Sequence, residues 1–143
     1  MAIQSTAGVQ VYVATGASTT QAQFEALTWT SVAQVESIGE FGDTFNPVIF
    51  QGMEGRSKHF KGSVNAGDFS LSYAFCDTCA GQGFIMVYDF FGFIVGMKIV
   101  FPGGQIRYFN AHIFSIKEAL PNADSILMVN CSIGIEGPII RVT

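Results

Sequence analysis

The chain has 143 residues, a formal net charge of −4 and only 13% charged residues, against 49% hydrophobic residues. This length fits one domain, residues 1–143, and the scarcity of Lys and Arg excludes attraction to nucleic acid as a predicted function. Soluble domains ordinarily carry about 25% charged residues, so the composition predicts that much of the surface is protein interface.

The first third of the chain predicts two strands separated by a loop. Val9–Thr15 alternates β-branched and aromatic residues and is predicted to be the first strand. Residues 16–23 are predicted to be a loop, and a second strand is predicted near 32–38, entered through Trp29. The N-terminal residues lack a basic stretch followed by an apolar one, so no secretory signal is predicted and synthesis in the cytoplasm is expected.

The segment Gly39–Val64 has no clear period and is predicted to be a long loop or extended arm, residues 39–62. Loops of this length are uncommon in compact domains and are usually functional. Leaving its large apolar side chains in water would cost about 25 cal/mol per Å² of apolar surface, so we expect the arm to dock on another protein surface. The residues expected at that oligomer interface are Phe41, Phe45, Val48, Ile49, Phe50, Arg56, Lys58, Phe60 and Lys61.

The three basic residues of the arm allow two interpretations. Arg56, Lys58 and Lys61 are three of only seven basic residues in the chain and fall within six positions. They form either a solvated basic hairpin tip or a basic arm that meets an acidic neighbouring surface.

The second half of the chain predicts an antiparallel sheet with one short helix. Strands are predicted over Phe69–Phe75, Val95–Phe101, Ile106–Lys117 and Ser125–Glu136, the last one closed by Gly137 and Pro138. A helix capped by Asp77 or Thr78 is predicted from the helical spacing of Ala80, Phe84, Val87, Tyr88 and Phe91, with a stop at Gly92. The fold class predicted is mostly β.

The apolar stretch from Phe84 to Phe101 is long enough to raise the question of a membrane span. Asp89 and Lys98 interrupt it, and burying both at bilayer depth costs several kcal/mol. No membrane insertion is therefore predicted.

The only motif typical of catalysis is the pair Cys76 and Cys79, spaced as CxxC. Such a pair serves thiol–disulfide exchange or supplies half of a zinc site. The flanking pattern is antiparallel, not βαβ, and His59, His112 and Cys131 lack the paired spacing of further zinc ligands. We therefore expect thiols packed as small apolar residues and no enzyme activity, metal or cofactor, with a redox or metal protein that uses Cys76 and Cys79 as the alternative.

The order of these elements resembles the tail tube proteins of long-tailed, siphovirus-type bacteriophages, over roughly Trp29–Pro138. The resemblance lies in the sequence features of Trp29, Glu40–Phe50, Gly62–Phe75, Gly81 with Gln82, Phe101–Gly104, Phe109, and Gly137 with Pro138. It implies an antiparallel β-sandwich or partly closed β-barrel with one short helix at its side and a long extended loop.

The resemblance also implies a function. Subunits of this family self-assemble into hexameric rings, and the rings stack into a hollow helical tube that conducts DNA during ejection without binding it specifically. The arm, residues 39–62, would reach the adjacent ring, and a tape-measure protein and a tail terminator would be partners. The protein would be a structural component of the virion, assembled in the host cytoplasm. A tail terminator or a tube ring of a secretion system is the alternative within the same fold.

The family pattern further implies acidic residues facing the lumen of the tube. The sequence does not distinguish which of Glu36, Glu54, Asp68 or Glu118 they are.

Overall fold

The computed structural model of the chain describes residues 3–15, 18–76, 78–83, 85 and 94–143. Within these residues the chain forms nine strands and the short helix α1, and residues 80–83 and 85 are also helical. In chain order the elements are β1 (Gln10–Thr15), α1 (Gln21–Glu25), β2 (Thr30–Val32), β3 (Val35–Ser37), β4 (Thr44–Gln51), β5 (Ser57–Asn65), β6 (Asp68–Ala74), β7 (Val95–Val100), β8 (Ile106–Ala119) and β9 (Met128–Val142).

Seven of the strands form one antiparallel sheet in the order β2-β1-β7-β8-β9-β6-β3, and β4 pairs with β5 in a separate hairpin. The predicted mostly β, antiparallel class is confirmed. In the part of the chain that the structure describes, β2 and β3 are the two ends of this order, so the sheet is open.

One face of the seven-stranded sheet supplies the hydrophobic core. Val13 lies opposite Met97, which in turn lies opposite Phe109, and each of the three is at most 1% exposed. Val32 from one end of the sheet and Val35 from the other end both belong to this core, so the sheet curves around it. The alternation of apolar and polar residues along the strands therefore predicts correctly which face of the sheet is buried.

The strand predicted near 32–38 is wrong in one respect, because two strands occupy this segment. Gln34 has a φ of +63°, in the left-handed region, and turns the chain between them. β2 then pairs with β1, whereas β3 pairs with β6 at the far end of the sheet. Val32 is buried before the turn, and Val35 is half-buried after it. The apolar pattern of the sequence therefore continues across the turn and does not reveal it.

The predicted loop 16–23 contains the start of α1. The Thr20 side chain accepts a hydrogen bond from the Gln23 backbone N–H at 3.3 Å and caps this helix. Thr20 and Gln23 have the spacing of a capping box, which is the sequence signal for this helix start. Phe24, at 1% exposure, anchors the helix in the interior.

The last strand does not end at Gly137 and Pro138, as predicted, but continues to Val142. Gly137 has a φ of +78°, and the register between β8 and β9 shifts between Tyr108 and Asn110. The glycine and proline therefore lie in a β-bulge, where both residues are tolerated, and pairing resumes beyond them.

The helix predicted after Cys76 is confirmed over residues 80–83 and 85. The predicted positions Asp77, Phe84, Val87, Tyr88, Phe91 and Gly92 lie outside the described residues. Among the residues described, no helix combines the length and apolar character needed to cross a membrane.

Candidate subunit interface

The predicted irregular loop 39–62 is instead a β-hairpin over most of its length. β4 and β5 pair from Thr44 opposite Asn65 to Gln51 opposite Ser57, and Gly55, with a φ of +89°, lies in the turn that joins them. Every residue of β4 is exposed. An isolated two-stranded hairpin is marginally stable in water. This hairpin, residues 44–65, is therefore an exposed arm that is separate from the seven-stranded sheet.

One face of the hairpin is apolar at its centre. Val48 lies opposite Phe60, and Phe50 lies opposite Lys58. Directly opposite residues share a face, and alternate residues of one strand do too. Val48, Phe50 and Phe60 are between 52% and 58% exposed, so the face lacks a covering layer within the described residues.

The other face of the hairpin is also apolar, with a basic residue at its edge. Ile49 lies opposite His59 and is 60% exposed, and Pro47 lies opposite Lys61. The ammonium of Lys61 is 4.6 Å from the centre of the Phe45 ring, a cation–π contact. Because both faces carry apolar side chains, apolar and polar residues do not alternate strictly along the strands. The sequence pattern therefore predicts a loop and not two strands.

The hairpin also carries a charge opposite to that of the rest of the chain. Its three basic residues, Arg56, Lys58 and Lys61, outnumber its one acidic residue, Glu54, so its formal charge is +2. Subtracting this value from the whole-chain charge of −4 leaves −6 for the other residues. A positive arm and a negative body on one molecule favour attraction between copies.

Phe41 was predicted to belong to the interface, but it packs inside its own subunit. Its ring centre is 5.9 Å from that of Phe69 and 5.8 Å from that of Phe109, and the residue packs against the core. The other eight predicted interface residues lie on the hairpin. Sequence reasoning missed Met53 in the turn, which is fully exposed, and Val64 in β5, which is 54% exposed.

A second surface of interest is the sheet face opposite the core, where β6, β9 and β8 carry short neutral polar residues. Ser70 lies opposite Ser132, and Ser72 lies opposite Asn130. The Ser72 hydroxyl donates a hydrogen bond of 2.8 Å to the Asn130 side-chain oxygen. We call this surface, formed by the outward residues of β6, β9 and β8, the polar sheet face.

The polar sheet face also carries carboxylates beside a histidine. Asp68 and His112 both lie opposite Gly134 on β9, and the His112 imidazole contacts the Glu136 carboxylate. The aromatic ring of Phe114 lies over Gly134, where a Cβ would collide with it. His112 is therefore a partly exposed residue that is paired with Glu136.

The four candidate lumen acids are placed differently by the structure. Asp68 lies on the polar sheet face, together with Glu136, which was not among the candidates. Glu118 lies opposite the buried Val129, on the side of the core. Glu54 lies in the turn of the hairpin and Glu36 on the edge strand β3.

The other half of this sheet side is covered by aromatic packing. The Phe24 ring of α1 stacks on Tyr108 at 5.3 Å, and Trp29 lies 5.9 Å from the same ring. The Lys98 ammonium lies 4.5 Å from the centre of the Tyr12 ring, and burial lowers the pKa of Lys98. This layer confines the polar sheet face to β6, β9 and β8.

The expectation that Cys76 and Cys79 remain thiols is wrong, because the two residues form a disulfide. The backbone N–H of Cys79 points to the Cys76 carbonyl in a turn that brings their Cα atoms to 5.5 Å, within reach of one disulfide. The third cysteine, Cys131, is buried and contacts the Tyr73 hydroxyl at 3.7 Å. Within the described residues, no three His, Cys, Asp or Glu side chains gather as a metal site.

Comparison with known proteins identifies the fold. No protein-family model matches the sequence, and no curated protein is significantly similar to it in sequence. Among solved structures, a chain in the tail of an empty gene transfer agent particle is 12% identical and superimposes with a TM-score of 0.72, over 99% of this chain and 100% of that one.

Two further solved structures are similar to this chain over most of its length. The tail tube of SPP1 is 13% identical, with a TM-score of 0.71 over 94% of this chain and 76% of that one. The sheath/tube terminator of the extracellular contractile injection system PVC is 8% identical, with a TM-score of 0.70 over 100% and 99% of the two chains. At full-length coverage, the chain has the fold of tail tube and tube terminator proteins.

Proposed function

We propose that this protein is a structural subunit that self-assembles into stacked rings and forms the hollow tube of a phage-type tail. The observation that carries the proposal is the full-length similarity of the fold to chains from the SPP1 tail tube and the gene transfer agent tail. The tail of the gene transfer agent was solved with sixfold symmetry, which supports a hexameric ring. The sparse charge and the exposed apolar hairpin fit a subunit whose surface is largely covered by copies of itself.

In this proposal the hairpin, residues 44–65, is the arm that reaches the adjacent ring. Both of its faces carry exposed apolar side chains, including Ile49 and Phe50 at about 60% exposure. Burial of such side chains contributes about 1.5–3 kcal/mol each. Contacts between rings would therefore both order the hairpin and stabilise the stack.

The polar sheet face is the surface proposed to line the lumen. Ser70, Ser132 and Asn130 are short and neutral, and the carboxylates of Asp68 and Glu136 repel phosphate. Among the described residues of this face, Lys117, opposite Asn130, is the only Lys or Arg. A lining of this kind lets DNA pass during ejection, because specific or tight DNA binding requires clustered cations.

A tube subunit of this kind also has partners and a location. A tape-measure protein inside the tube during assembly and a tail terminator at its end would be the partners, and the protein would belong to the virion after assembly in the host cytoplasm. A tube ring that caps a tail or belongs to an injection system is the alternative, supported by the similarity to the PVC terminator. A terminator forms one ring, whereas a tube protein polymerises.

Electron microscopy and analytical sedimentation of the purified protein test this proposal. We expect tubes or stacked rings whose length grows with protein concentration. Single rings that never stack would indicate the terminator role. A monomer at every concentration and ionic strength would overturn the proposal.

A redox function of Cys76 and Cys79 is the competing candidate, supported by their disulfide. The antiparallel strands around them differ from the βαβ setting of thiol oxidoreductases. The double change Cys76→Ser and Cys79→Ser should leave tube formation intact, with the loss of about 2 kcal/mol of stability expected for a loop of this size. Exchange activity towards a model disulfide that disappears in the double variant would favour the redox candidate instead.

A further inference from the structure

The seven-stranded sheet leaves a groove at the edge formed by β3. A cavity of about 310 Å³ is lined by Val9 and by the segment Val35–Gly39, with Thr6 at its border. Val9, Val35 and Ile38 pack against the core but stay partly exposed in this groove. The hydrophobic core therefore opens to solvent here, which is typical of a surface that a partner covers. We call this surface the β3 groove.

The same groove lies beside an unpaired strand edge. β3 is the last strand in the sheet order, so one side of Val35–Ser37 has no neighbouring strand in the described part of the chain. Exposed edges promote pairing with other chains, and proteins commonly cover them. A partner on the β3 groove would cover the edge and the open core at once.

The β3 groove carries an acidic residue. Glu36 lies in its lining with an exposed side chain, and the exposed Glu40 and Asp43 line a separate cavity beside Gly67. No Lys or Arg occurs between residues 33 and 43. A separate neighbouring cavity shares Thr6 and Val9 with the groove and is lined further by Phe101 and Pro102. Glu36 is therefore the one charged residue in the lining of the β3 groove among the described residues.

The hairpin has the complementary properties. Its apolar side chains are exposed on both faces, and Arg56, Lys58 and Lys61 lie within six positions. Within the described residues, none of these three cations forms a salt bridge with a carboxylate of its own chain. The hairpin thus offers unpaired positive charge beside apolar surface, and the β3 groove offers unpaired negative charge beside apolar surface.

On these grounds we infer that the β3 groove is the acceptor site for the hairpin of a second copy of this chain, with Glu36 facing the basic residues of the hairpin. The inference rests on the proposed tube function and adds the receiving surface to it. Donor and acceptor are different surfaces of each molecule, so the contact is heterologous. Such a contact repeats from copy to copy and builds open-ended stacks.

Site-specific photo-crosslinking of assembled full-length protein tests this contact. A benzophenone amino acid is placed at position 49 or at position 50, one on each face of the hairpin, and at position 126 in an exposed loop as the control. We expect irradiation of tubes to link position 49 or 50 to a peptide containing residues 35–39 or 4–9 of another copy. Position 126 should give no such link.

The outcomes separate this inference from the proposed function. Tubes that form but crosslink elsewhere would overturn the acceptor site and leave the tube function standing. Absence of any assembly, in the wild-type protein as well, would overturn both.

Charge exchange gives a second readout. Glu36→Lys, or Lys58→Glu with Lys61→Glu, should raise the critical concentration for assembly about tenfold or more, because like charges then face each other. Combining the three changes should restore much of the loss. Asp124→Lys, which matches the charge change of Glu36→Lys, and Lys117→Glu, which matches that of either lysine exchange made singly, lie outside both surfaces and should have little effect. Circular dichroism of each variant checks that the subunit is folded, and a folded Glu36→Lys variant that assembles like Asp124→Lys would overturn the pairing.

Discussion

At the scale of single residues, Gln82 holds together the junction where β2, β3 and β6 meet the helical residues 80–83. It is 2% exposed, and its side-chain N–H groups donate to the carbonyls of Ala33 and Ala74 at 3.0 and 2.9 Å. Its side-chain oxygen accepts from the Cys76 backbone N–H at 2.8 Å. A buried amide that satisfies three backbone groups is costly to remove, since each orphaned group costs about 1–3 kcal/mol.

The neighbouring Gly81 allows the helical residues to approach β2. A Cβ at this position would collide with the Ser31 carbonyl oxygen, whereas a Cβ at Gly83 would meet nothing within 4 Å. We expect Gly81→Ala to lower the free energy of unfolding by about 1–3 kcal/mol through overpacking. Gly83→Ala, the matched control, should leave it unchanged or raise it slightly, since alanine favours a helix. Urea denaturation measures both, and equal midpoints for the two variants would contradict the close approach.

Tyr73 makes stability sensitive to alkaline pH. Burial raises the pKa of its hydroxyl well above the ordinary value, and the neighbouring Cys131 adds to this shift. The folded state therefore favours the neutral phenol, so the stabilisation is complete below about pH 10 and is lost as the pH rises further and the unfolded chain ionises. Tyr73→Phe removes this ionisable hydroxyl. Urea midpoints followed from about pH 8 to about pH 11 should fall less steeply for the variant, and parallel curves would refute the assignment.

At the scale of elements, the position of the hairpin was predicted from the sequence, whereas its two strands were not. Its apolar content predicted a docking arm, and eight of the nine predicted interface residues lie on it. Its strands were missed because Val48, Ile49 and Phe50 expose apolar side chains on both faces, which removes the period of two. Phe41 was assigned to the arm because local sequence does not reveal its packing against Phe109, a residue distant in the chain.

Deletion of the hairpin tests its role as an independent element. Removing Phe45–Lys61 leaves Gly62–Val64 to connect Thr44 and Asn65, which lie directly opposite each other. We expect a folded subunit with nearly unchanged thermal stability that forms no stacks, because the core residues lie in the other strands. Circular dichroism and sedimentation measure the two properties. Normal tube assembly by the deletion variant would contradict the role of the hairpin.

At the scale of the whole molecule, charge and polarity are divided among three surfaces. The hairpin is positive, the β3 groove is negative at Glu36, and the polar sheet face is mostly neutral with two carboxylates. The first two surfaces complement each other between copies. On the third surface, Phe114 is the large apolar side chain that the described residues leave exposed. This division suits a subunit that joins others on one side and leaves a passage on another.

Adding cations to the polar sheet face tests its contact with DNA. Ser70→Lys combined with Asn130→Lys should leave tube formation unchanged but cause short DNA to cosediment with the tubes, in a salt-dependent manner, because phosphate binding releases counterions. Gln21→Lys combined with Thr143→Lys adds the same charge at exposed positions outside this face. Equal DNA retention by the two double variants would contradict a lumen lined by β6, β9 and β8.

The sequence by itself determined the mostly β, antiparallel class and the position of a segment rich in apolar side chains, because composition and the alternation along β1, β6, β7 and β8 are local properties. The tertiary structure decided how these strands are ordered, where Gln34 divides one predicted strand between opposite ends of the sheet, and that β9 runs through its bulge to Val142. It also decided that Val9, Val35 and Ile38 meet in one groove beside Glu36. Register and edge pairing join residues that are distant in the chain, and these long-range contacts are not encoded in the local period of any one strand.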